Sequence, residues 1–255
     1  MADSANITLL NWNIYGLNAG HLKERTEYIC DYILSRSPTV VYLQEVVHST
    51  WPMITSKLKE DYACYCGVPR CHYFNGLLVR KSSEITPLSE REEVVEFPTS
   101  GMGRYLIGLP VCVHGSKLYF LTSHIESLDQ DRNIIERKKQ IREALKIMTD
   151  KHKNDGFVSC VFGGDLNTKD NEISEIGLPE GVVDVWEATG SNSKEKKTWN
   201  TNVPVVRCDR VYFCPQEGPL APNSFSLIGG ERLKGLGCFP SDHFGIWIEF
   251  KLNKK

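Results

Sequence analysis

The amino-acid sequence predicts an α+β fold, a two-layer mixed β-sheet sandwich flanked by helices. Short apolar or alternating runs, which are typical of strands, outnumber helical patterns by more than two to one. The helical patterns also lie far apart, which argues against a regular alternation of strands and helices. No repeat, low-complexity linker or change of composition divides the chain, so we predict a single domain over residues 1–255.

The composition is that of an ordinary globular protein, with 41% hydrophobic and 24% charged residues. No apolar run approaches the roughly 20 residues of a membrane span, and the N-terminus lacks the basic and long apolar regions of a signal peptide. We therefore expect no membrane partner. Because the first predicted strand begins at Ile7, we also expect a further N-terminal region in the natural protein. The net charge of −2 restricts nucleic-acid binding to a local patch.

The cysteines do not suggest a disulfide framework. There are nine, an odd number, and several lie in apolar runs: Cys30, Cys112, Cys160 and Cys208. This pattern favours buried, reduced thiols in an intracellular protein.

One cysteine-rich cluster allows two interpretations. Cys64, Cys66, Cys71 and His72 either bind a structural zinc ion or are ordinary strand and loop residues. The spacing C-x-C-x4-C-H is not a usual zinc pattern, and a proline and a glycine interrupt it, so the second interpretation is favoured.

The first half of the chain begins with a strand, a helix and a second strand. In the helix, Leu22, Ile29 and Ile33 recur at spacings of seven and four, and the dipeptide Ser37-Pro38 ends it. The elements predicted up to Val113 are the strand Ile7–Trp12, the helix His21–Ser35, the strand Thr39–Leu43, a short helix over Trp51–Glu60, and several short strands between Tyr62 and Val113.

The second half contains the longest predicted helix, which has one apolar face and is mostly charged elsewhere. The elements predicted here are the strand Lys117–Ser123, the helix Asp131–Lys151, the strand Val158–Phe162, a short apolar segment Val182–Trp186, a polar loop Ser191–Lys197, a strand-like segment Val205–Phe213, and the strand Phe244–Leu252.

Polar side chains lie at one end of five of these strands. They are Asn13, Glu45, His124, Asp165 with Asn167, and Asp242 with His243. Any one of them alone is a typical turn or cap residue. Together they supply hard oxygen ligands and two imidazoles, which are the parts needed for metal-assisted hydrolysis. Gly163 and Gly164 precede Asp165, and we expect them to leave room for a bound phosphate.

Six motifs resemble, in order, those of the endonuclease/exonuclease/phosphatase superfamily of Mg²⁺-dependent phosphoesterases. They are LLNWNIYGLN, VVYLQEV, LTSHIES, FGGDLN, RCDRVYF and FPSDHFGIW, and they span residues 9–247. The patterns TSHIES, E-x-x-x-Q at 136–140, GLPEGVVDVWEATG, KKTWNT and CFPSDHFG resemble the 5′-tyrosyl-DNA phosphodiesterase branch of that superfamily. The resemblance implies the superfamily fold and removal of a trapped topoisomerase II tyrosine from a DNA 5′-phosphate.

The resemblance also implies roles for the strand-end residues. Glu45 would bind Mg²⁺, for which Mn²⁺ can substitute, with Asn13 and Asp242 nearby. Asp165 would orient and deprotonate the attacking water, and Asn167 would hold that water in line. His124 and His243 would contact the phosphate oxygens. Asp209 would pair with the imidazole of His243.

One position departs from the superfamily pattern. Relatives commonly carry Asn-x-Asp-Gly in the first motif, whereas Tyr15 stands at the third position here. A carboxylate that could bind a second ion is therefore missing, and this favours one metal ion over two. The alternative is that the phenol simply lines the cleft.

On the substrate side, the resemblance implies a hydrogen bond from Ser127 to a phosphate oxygen, a phosphate contact by Lys169, and a DNA-facing Trp199. Arg104 and Arg210 serve either structure or substrate, and the sequence does not separate these roles. We expect a monomer that acts on single-stranded or blunt DNA 5′ ends carrying a tyrosyl or peptide adduct, including topoisomerase II remnants, without cutting inside a duplex.

Two other readings of the same motifs remain open. The chain could be another superfamily phosphoesterase: an abasic-site endonuclease, a deadenylase, or a phosphoinositide or sphingolipid phosphodiesterase. It could also be a non-catalytic binding module that kept the fold, which the nearly complete set of motif residues disfavours. For a DNA-repair hydrolase we expect a nuclear location, with a cytoplasmic fraction.

Overall fold

A computed structural model of the protein describes residues 4–67, 72–200 and 206–253. The strands in these ranges are β1 (Ser4–Asn13), β2 (Val40–Val47), β3 (Tyr62–Tyr65), β4 (Tyr73–Arg80), β5 (Ile85–Pro87), β6 (Glu93–Glu96), β7 (Tyr105–Val113), β8 (Ser116–His124), β9 (Ser159–Asp165), β10 (Val183–Asp184), β11 (Asp209–Cys214), β12 (Leu220–Ile228) and β13 (Gly245–Asn253). The helices are α1 (Leu22–Arg36), α2 (Trp51–Leu58), α3 (Asp131–Asn154), α4 (Asp170–Ile176) and α5 (Val185–Ala188), and Ser193–Glu195 form a 3₁₀ turn.

The strands form two mixed sheets, which confirms the predicted sandwich. The six-stranded sheet has the order β12-β13-β1-β2-β4-β3. The seven-stranded sheet has the order β10-β11-β9-β8-β7-β5, with β6 paired to β7. Each sheet contains one parallel pair, β1 with β2 and β8 with β9, and each pair has an antiparallel neighbour, β13 beside β1 and β11 beside β9.

This strand order collects the polar strand ends at one edge of the sandwich. Strands β1, β8 and β9 end at Asn13, His124 and Asp165, and the last two lie side by side in register. An antiparallel strand begins where its neighbour ends, so Asp209 at the start of β11 pairs with Asp165. His243 precedes β13 and reaches the same edge for the same reason.

The core has two parts. Val161 of β9 belongs to the cluster shared by the two sheets, and its carbonyl oxygen accepts a 3.1 Å hydrogen bond from the Tyr42 hydroxyl. Phe162, the next residue, faces the other way and belongs to the cluster that contains Ile141 and Leu145 of α3. This alternation is the expected strand periodicity, and it leaves β9 covered on both faces.

The end of β2 differs from the prediction. We expected the strand to stop at Leu43, before Glu45, but it continues to Val47 through a shift of register between Leu43 and Val46. Glu45 lies inside this β-bulge, with φ at 54°. A bulge bends the strand and re-aims a side chain, and here the valines that follow resume pairing with β4.

The glycines before Asp165 also differ from the prediction. A Cβ at Gly164 would lie 1.9 Å from the carbonyl oxygen of Ser123, and one at Gly163 would lie 2.9 Å from that of Arg210. The space that these glycines leave is therefore occupied by the neighbouring strands β8 and β11, and the expectation that it receives a phosphate is wrong.

Two elements were not predicted. Helix α4 has seven residues, which is too short for a helical period to show in the sequence. Strand β12 lies at the edge of its sheet and contains Pro222, next to a shift of register. Proline and polar residues hide an edge strand from pattern analysis.

A group of ion pairs joins α4 and β10 to β11. Arg207 pairs with Asp184 at 2.8 and 2.6 Å, and both side chains are buried. Asp170 at the start of α4 accepts from Arg210 at 2.7 Å and lies 2.7 Å from Lys196. Partial burial works to raise the pKa of Asp170, but these hydrogen bonds and the nearby charges hold it well below its usual range.

The cysteines within the described residues agree with the expectation of reduced thiols. Cys30, Cys160 and Cys208 are buried and Cys112 is half-buried, all as free thiols. Cys71 lies outside the described residues, so the structure does not test the choice between a zinc site and ordinary strand and loop residues. Burial raises the pKa of Cys64 to about 11, which disfavours the thiolate that zinc binding needs. None of the helices in the described ranges is long and apolar enough to cross a membrane.

We predict that Gly164→Ala lowers the free energy of unfolding by about 2–4 kcal/mol, because the added methyl group overlaps the main chain of β8. Urea unfolding followed by circular dichroism measures this. The matched control is Gly156→Ala, where φ is also positive, 72°, but nothing lies within 4 Å of the new Cβ. The control should cost only about 1 kcal/mol. Equal losses in the two variants would contradict the steric explanation.

We predict that Asp170→Asn lowers the melting temperature at pH 7 by about 2–4 °C, because it removes a partner of buried Arg210. The pKa of Asp170 is lower in the folded than in the unfolded protein, so its contribution is complete above about pH 4 and is lost as pH falls further. The difference from wild type should therefore narrow below about pH 4. Asp150→Asn, which breaks the exposed pair with Lys146, is the control and should change little.

Candidate active site

The centre of the site is the buried carboxylate of Asp165 at the end of β9. Its Oδ2 atom lies 3.4 Å from Nε2 of His124 and 3.7 Å from Nε2 of His243, and it accepts a 2.9 Å hydrogen bond from Asn13. Burial works to raise the pKa of Asp165, but the two imidazoles and the hydrogen bonds outweigh it and hold the pKa below its ordinary value. The carboxylate is therefore ionised and can accept a proton.

A tight turn places Asn167 beside this carboxylate. Oδ1 of Asp165 accepts the backbone N–H of Asn167 at 3.1 Å, and Asn167 has φ at 50°. Asparagine tolerates this left-handed conformation better than most residues, which explains its place here. Its side-chain amide donates to the carbonyl oxygen of Ile125 at 3.1 Å and so joins the turn after β9 to the loop after β8.

His243 is held by Asp209. Nδ1 of the imidazole lies 2.9 Å from Oδ2 of Asp209, and both residues are buried. Burial works to lower the pKa of His243, but the carboxylates of Asp209 and Asp165 raise it to about 10. The imidazole is therefore positively charged at neutral pH, with its other nitrogen directed towards Asp165.

His124 has the opposite character. Burial and the charge of Arg104 lower its pKa to about 3, although Asp165 lies close by. Its ring packs 5.8 Å from the ring of Tyr73, and the Arg104 guanidinium lies 5.0 Å above that ring. His124 is thus a neutral imidazole, which acts as a hydrogen-bond donor and not as a cation.

Glu45 and Asp242 offer the oxygen atoms that fit a cation. Oε2 of Glu45 and Oδ1 of Asp242 are buried and have no hydrogen-bond partner among the described residues. Burial, and then the neighbouring Asp165 carboxylate, raises the pKa of Glu45 to about 6. A hard divalent cation would satisfy these oxygens and offset the repulsion between the carboxylates. The side-chain amide oxygen of Asn13, Oδ1, accepts the Tyr15 backbone N–H at 2.9 Å and keeps a second lone pair.

A second set of possible metal ligands lies at the same place. Ligand atoms of Asp165, Asp209 and His243 all lie within 4.8 Å of one another, the one such group in the part of the chain that the structure describes. The hydrogen bond between His243 and Asp209 already uses one possible ligand atom of each residue. The buried oxygens of Glu45 and Asp242 that have no hydrogen-bond partner among the described residues are not committed in this way.

Tyr15 does not line the cleft. Its ring lies 5.3 Å from the guanidinium of Arg25, and its hydroxyl accepts a 3.0 Å hydrogen bond from Asn18. The alternative that the phenol lines the cleft is therefore wrong, and the described residues place no carboxylate at this position of the first motif.

A cleft of about 790 Å³ opens above these groups. Of the residues predicted from the sequence, it is lined by Glu45, His124, Ser127, Asp165, Asn167, Lys169, Trp199, Asp242 and His243, whereas Asn13 and Asp209 lie buried behind the lining. Trp199 donates to Asp242 at 3.2 Å, and Lys169 pairs with Asp129 at 2.9 Å on the rim. The structure therefore brings the predicted site residues together in or directly behind this cleft.

The sequence analysis left the role of one lining residue undecided and did not identify others. Arg104 faces the cleft, whereas Arg210 is buried in ion pairs with Asp170 and Asp184 and serves the fold. Tyr73 and Arg207 were missed. The three charged residues in RCDR were a usable signal for Arg207, because a charged residue inside an apolar strand needs a partner or a function. The sequence around Tyr73 has no such signal.

Comparison with known proteins finds relatives that cover most of this chain. No family model matches the chain. The chain is 35% identical over 260 residues to tyrosyl-DNA phosphodiesterase 2 of Gallus gallus, covering 96% of this chain and 67% of that protein. It is 34% identical to the 5′-tyrosyl-DNA phosphodiesterase of Caenorhabditis briggsae, covering 96% and 69% of the two chains.

Comparison with solved structures also identifies proteins of this kind. The crystal structure of Danio rerio TDP2 complexed with a single-strand DNA product superimposes with a TM-score of 0.86 at 33% identity, covering 96% of this chain and 99% of that one. An endonuclease/exonuclease/phosphatase protein from Bacteroides vulgatus has the same fold, with a TM-score of 0.76 at 15% identity over 97% and 99% of the chains. The sequence identity, the fold and the ordered motifs around Asp165 together establish that the chain belongs to the tyrosyl-DNA phosphodiesterase 2 family.

Proposed function

We propose that this chain is a Mg²⁺-dependent 5′-tyrosyl-DNA phosphodiesterase. It hydrolyses the bond between a DNA 5′-phosphate and the tyrosine of a trapped topoisomerase II, and it leaves a 5′-phosphate for repair. The observation that carries the proposal is the ionised Asp165 carboxylate, 3.4 and 3.7 Å from two imidazoles on the floor of the cleft. The names of the relatives support the choice of bond.

Asp165 orients the attacking water and accepts its proton. Its pKa lies below the ordinary value, so it is a weak base, but it is fully ionised and fixed by the hydrogen bonds from Asn13 and Asn167. Fixing the water in line with the scissile bond supplies much of the rate enhancement through orientation. The leaving group is a tyrosine phenolate with a pKa of about 10, so its departure needs little help from a general acid.

The two histidines bind the phosphate in different ways. His243 is an imidazolium, kept charged by Asp209, and stabilises the negative charge that develops on the non-bridging oxygens. His124 is neutral and donates a hydrogen bond to the same phosphate group. Ser127 lies on the loop after β8 and lines the cleft, where its hydroxyl can donate to another phosphate oxygen.

Glu45 and Asp242 would hold Mg²⁺, or Mn²⁺ in its place, through their unpartnered oxygens, with Asn13 beside them. When bound, the ion polarises a phosphoryl oxygen and neutralises charge in the transition state. One ion is proposed and not two, because Tyr15 stands where relatives carry a carboxylate.

The walls of the cleft suit a single strand. Lys169 supplies positive charge at the rim, and Arg207 contributes less because it is buried against Asp184. Trp199 supplies a flat face, and together these groups favour a phosphate backbone with stacked bases over base-specific contacts. We propose that single-stranded and blunt 5′ ends enter and that a continuous duplex does not.

One chain contains every group assigned here, so the active form is a monomer. Because the proposed substrate is damaged DNA, we propose a nuclear location, with a cytoplasmic fraction.

We predict Mg²⁺-dependent release of tyrosine from a 5′-tyrosyl oligonucleotide, and a loss of about 10²- to 10⁴-fold in kcat for Asp165→Asn, which removes the proton acceptor. Chromatography of the oligonucleotide product measures both. Asp150→Asn on the outer face of α3 is the control and should retain full activity. Abasic duplex, poly(A) and phosphoinositide are assayed in parallel. Faster turnover of any of these than of the tyrosyl oligonucleotide would overturn the substrate assignment.

We predict that activity rises with Mg²⁺ along a simple one-site curve and that Glu45→Gln raises the half-saturating concentration by at least about 10-fold, since it removes a charged ligand. Titration calorimetry with Mn²⁺ reports the number of ions without requiring turnover. A sigmoidal curve together with two bound ions would contradict the single-metal assignment.

A further inference from the structure

A second groove, which we call the side groove, lies beside the cleft and has a volume of about 470 Å³. The residues of interest in its wall are Met102, Glu126, Leu128, Arg132, Asn133 and Glu136. It lies between the loop that precedes β7 and the segment that runs from the end of β8 into α3. None of the roles given above uses it.

The side groove is continuous with the cleft. Leu128 lines both of them. The sulfur of Met102 accepts a hydrogen bond from the Ser127 hydroxyl at 3.2 Å and one from the Arg104 guanidinium at 3.6 Å, and both of these residues line the cleft. A chain that leaves the cleft past Leu128 therefore enters the side groove directly.

The strand order indicates which part of the substrate lies towards the side groove. Along the edge of the seven-stranded sheet, Asp165 ends β9, His124 ends β8 and Arg104 precedes β7. In an in-line displacement the leaving oxygen departs opposite the attacking water. With the water at Asp165, the tyrosine lies on the side of β8 and β7, where the side groove begins. This step rests on the proposed function.

The loop at the entrance is held in an unfavourable conformation. Leu128 has φ at 75° and is 55% exposed, both unusual for a leucine. Its carbonyl oxygen accepts a 2.8 Å hydrogen bond from Arg137, a buried side chain that also donates to the carbonyl oxygen of Glu126 and pairs with Glu172 at 2.7 Å. A buried arginine thus fixes an exposed leucine at the opening, and backbone strain of this kind is concentrated at binding sites.

The polar groups of the groove are suited to hydrogen-bond donors and positive charge. Asn133 is 5% exposed, and its Oδ1 has no hydrogen-bond partner among the described residues. The Glu126 carboxylate accepts from the neutral groups of Ser100 and Gln140, at 2.6 and 3.2 Å. That of Glu136 accepts from Thr99 at 2.9 and 2.8 Å. Two carboxylates stand against one cation in the wall, Arg132, so the groove is negatively charged on balance. With the buried Asn133 acceptor, this charge attracts a peptide backbone N–H or a basic side chain and repels a DNA backbone.

We propose that the side groove binds the peptide that remains attached to the scissile tyrosine, and that it prefers a basic peptide to an acidic one. Asn133 accepts a backbone N–H of this peptide, and Glu136 attracts its basic side chains. The DNA lies on the opposite side, towards Lys169 and Arg207.

The test uses three substrates with the same oligonucleotide. One carries a 5′-tyrosine alone, one a tyrosine within a lysine-rich peptide, and one a tyrosine within a glutamate-rich peptide. For wild type we expect kcat/KM for the lysine-rich adduct to exceed that for the glutamate-rich adduct by about 3- to 10-fold. Glu136→Gln should reduce this ratio, and Asn133→Leu should lower kcat/KM for both peptide adducts by about 3- to 10-fold. Neither variant should change cleavage of the tyrosine-only substrate by more than about 2-fold.

The control is Glu143→Gln, on the same helix but outside the groove, which should leave all three substrates unaffected. Equal losses on all three substrates in the groove variants, or no loss on the peptide adducts, would overturn the proposal. If wild type fails to cleave the tyrosine-only substrate, the proposed function itself is wrong, so the two failures can be told apart.

Discussion

The site depends on keeping the buried carboxylate of Asp165 ionised. Burial alone would favour its protonated form, in which it could not accept a proton from water. The neighbouring imidazolium of His243 prevents this, and that imidazolium exists because Asp209 holds it from behind. His124, on the other side, stays neutral under burial and the charge of Arg104. The site therefore combines one positive and one neutral imidazole around a negative base.

Strand topology is what makes this charge balance possible. Each sheet has a parallel pair at its centre, and the C-terminal ends of both pairs meet at one edge. The antiparallel neighbours β11 and β13 begin at that edge, so Asp209 and His243 arrive from the opposite chain direction. Rigid strands hold these groups more firmly than loops would, which suits a reaction that depends on positioning. The tight packing at Gly164 shows that β8 and β9 approach closely just before they deliver His124 and Asp165.

The sequence predicted the two-sheet fold and the catalytic and metal-binding candidates that the structure brings together. Polar residues at the ends of apolar strands are visible in a pattern, and ordered motifs assign them to a family. It did not show the bulge that aims Glu45, since that depends on pairing with β4 and not on local residue preference. It also misread Gly163 and Gly164, whose missing Cβ atoms make room for neighbouring strands. Whether glycine faces a ligand or the protein is decided by tertiary packing. Tyr73 was missed for the same reason, because nothing in an apolar strand marks which tyrosine borders a cleft.

The charges around the cleft are unevenly distributed, and this gives the substrate a direction. Lys169 and Arg207 lie on the side of β9 and β11, where a phosphate backbone would be attracted. Glu126 and Glu136 lie beyond β8 and outnumber Arg132 in the same wall, so the same backbone would be repelled there. A DNA–protein adduct has a polyanion on one side of the scissile phosphate and a peptide on the other. A cleft with this charge distribution favours one of the two possible orientations, the one in which the tyrosine oxygen lies opposite the water held by Asp165. Binding energy far from the phosphorus atom then contributes to alignment at the reacting bond.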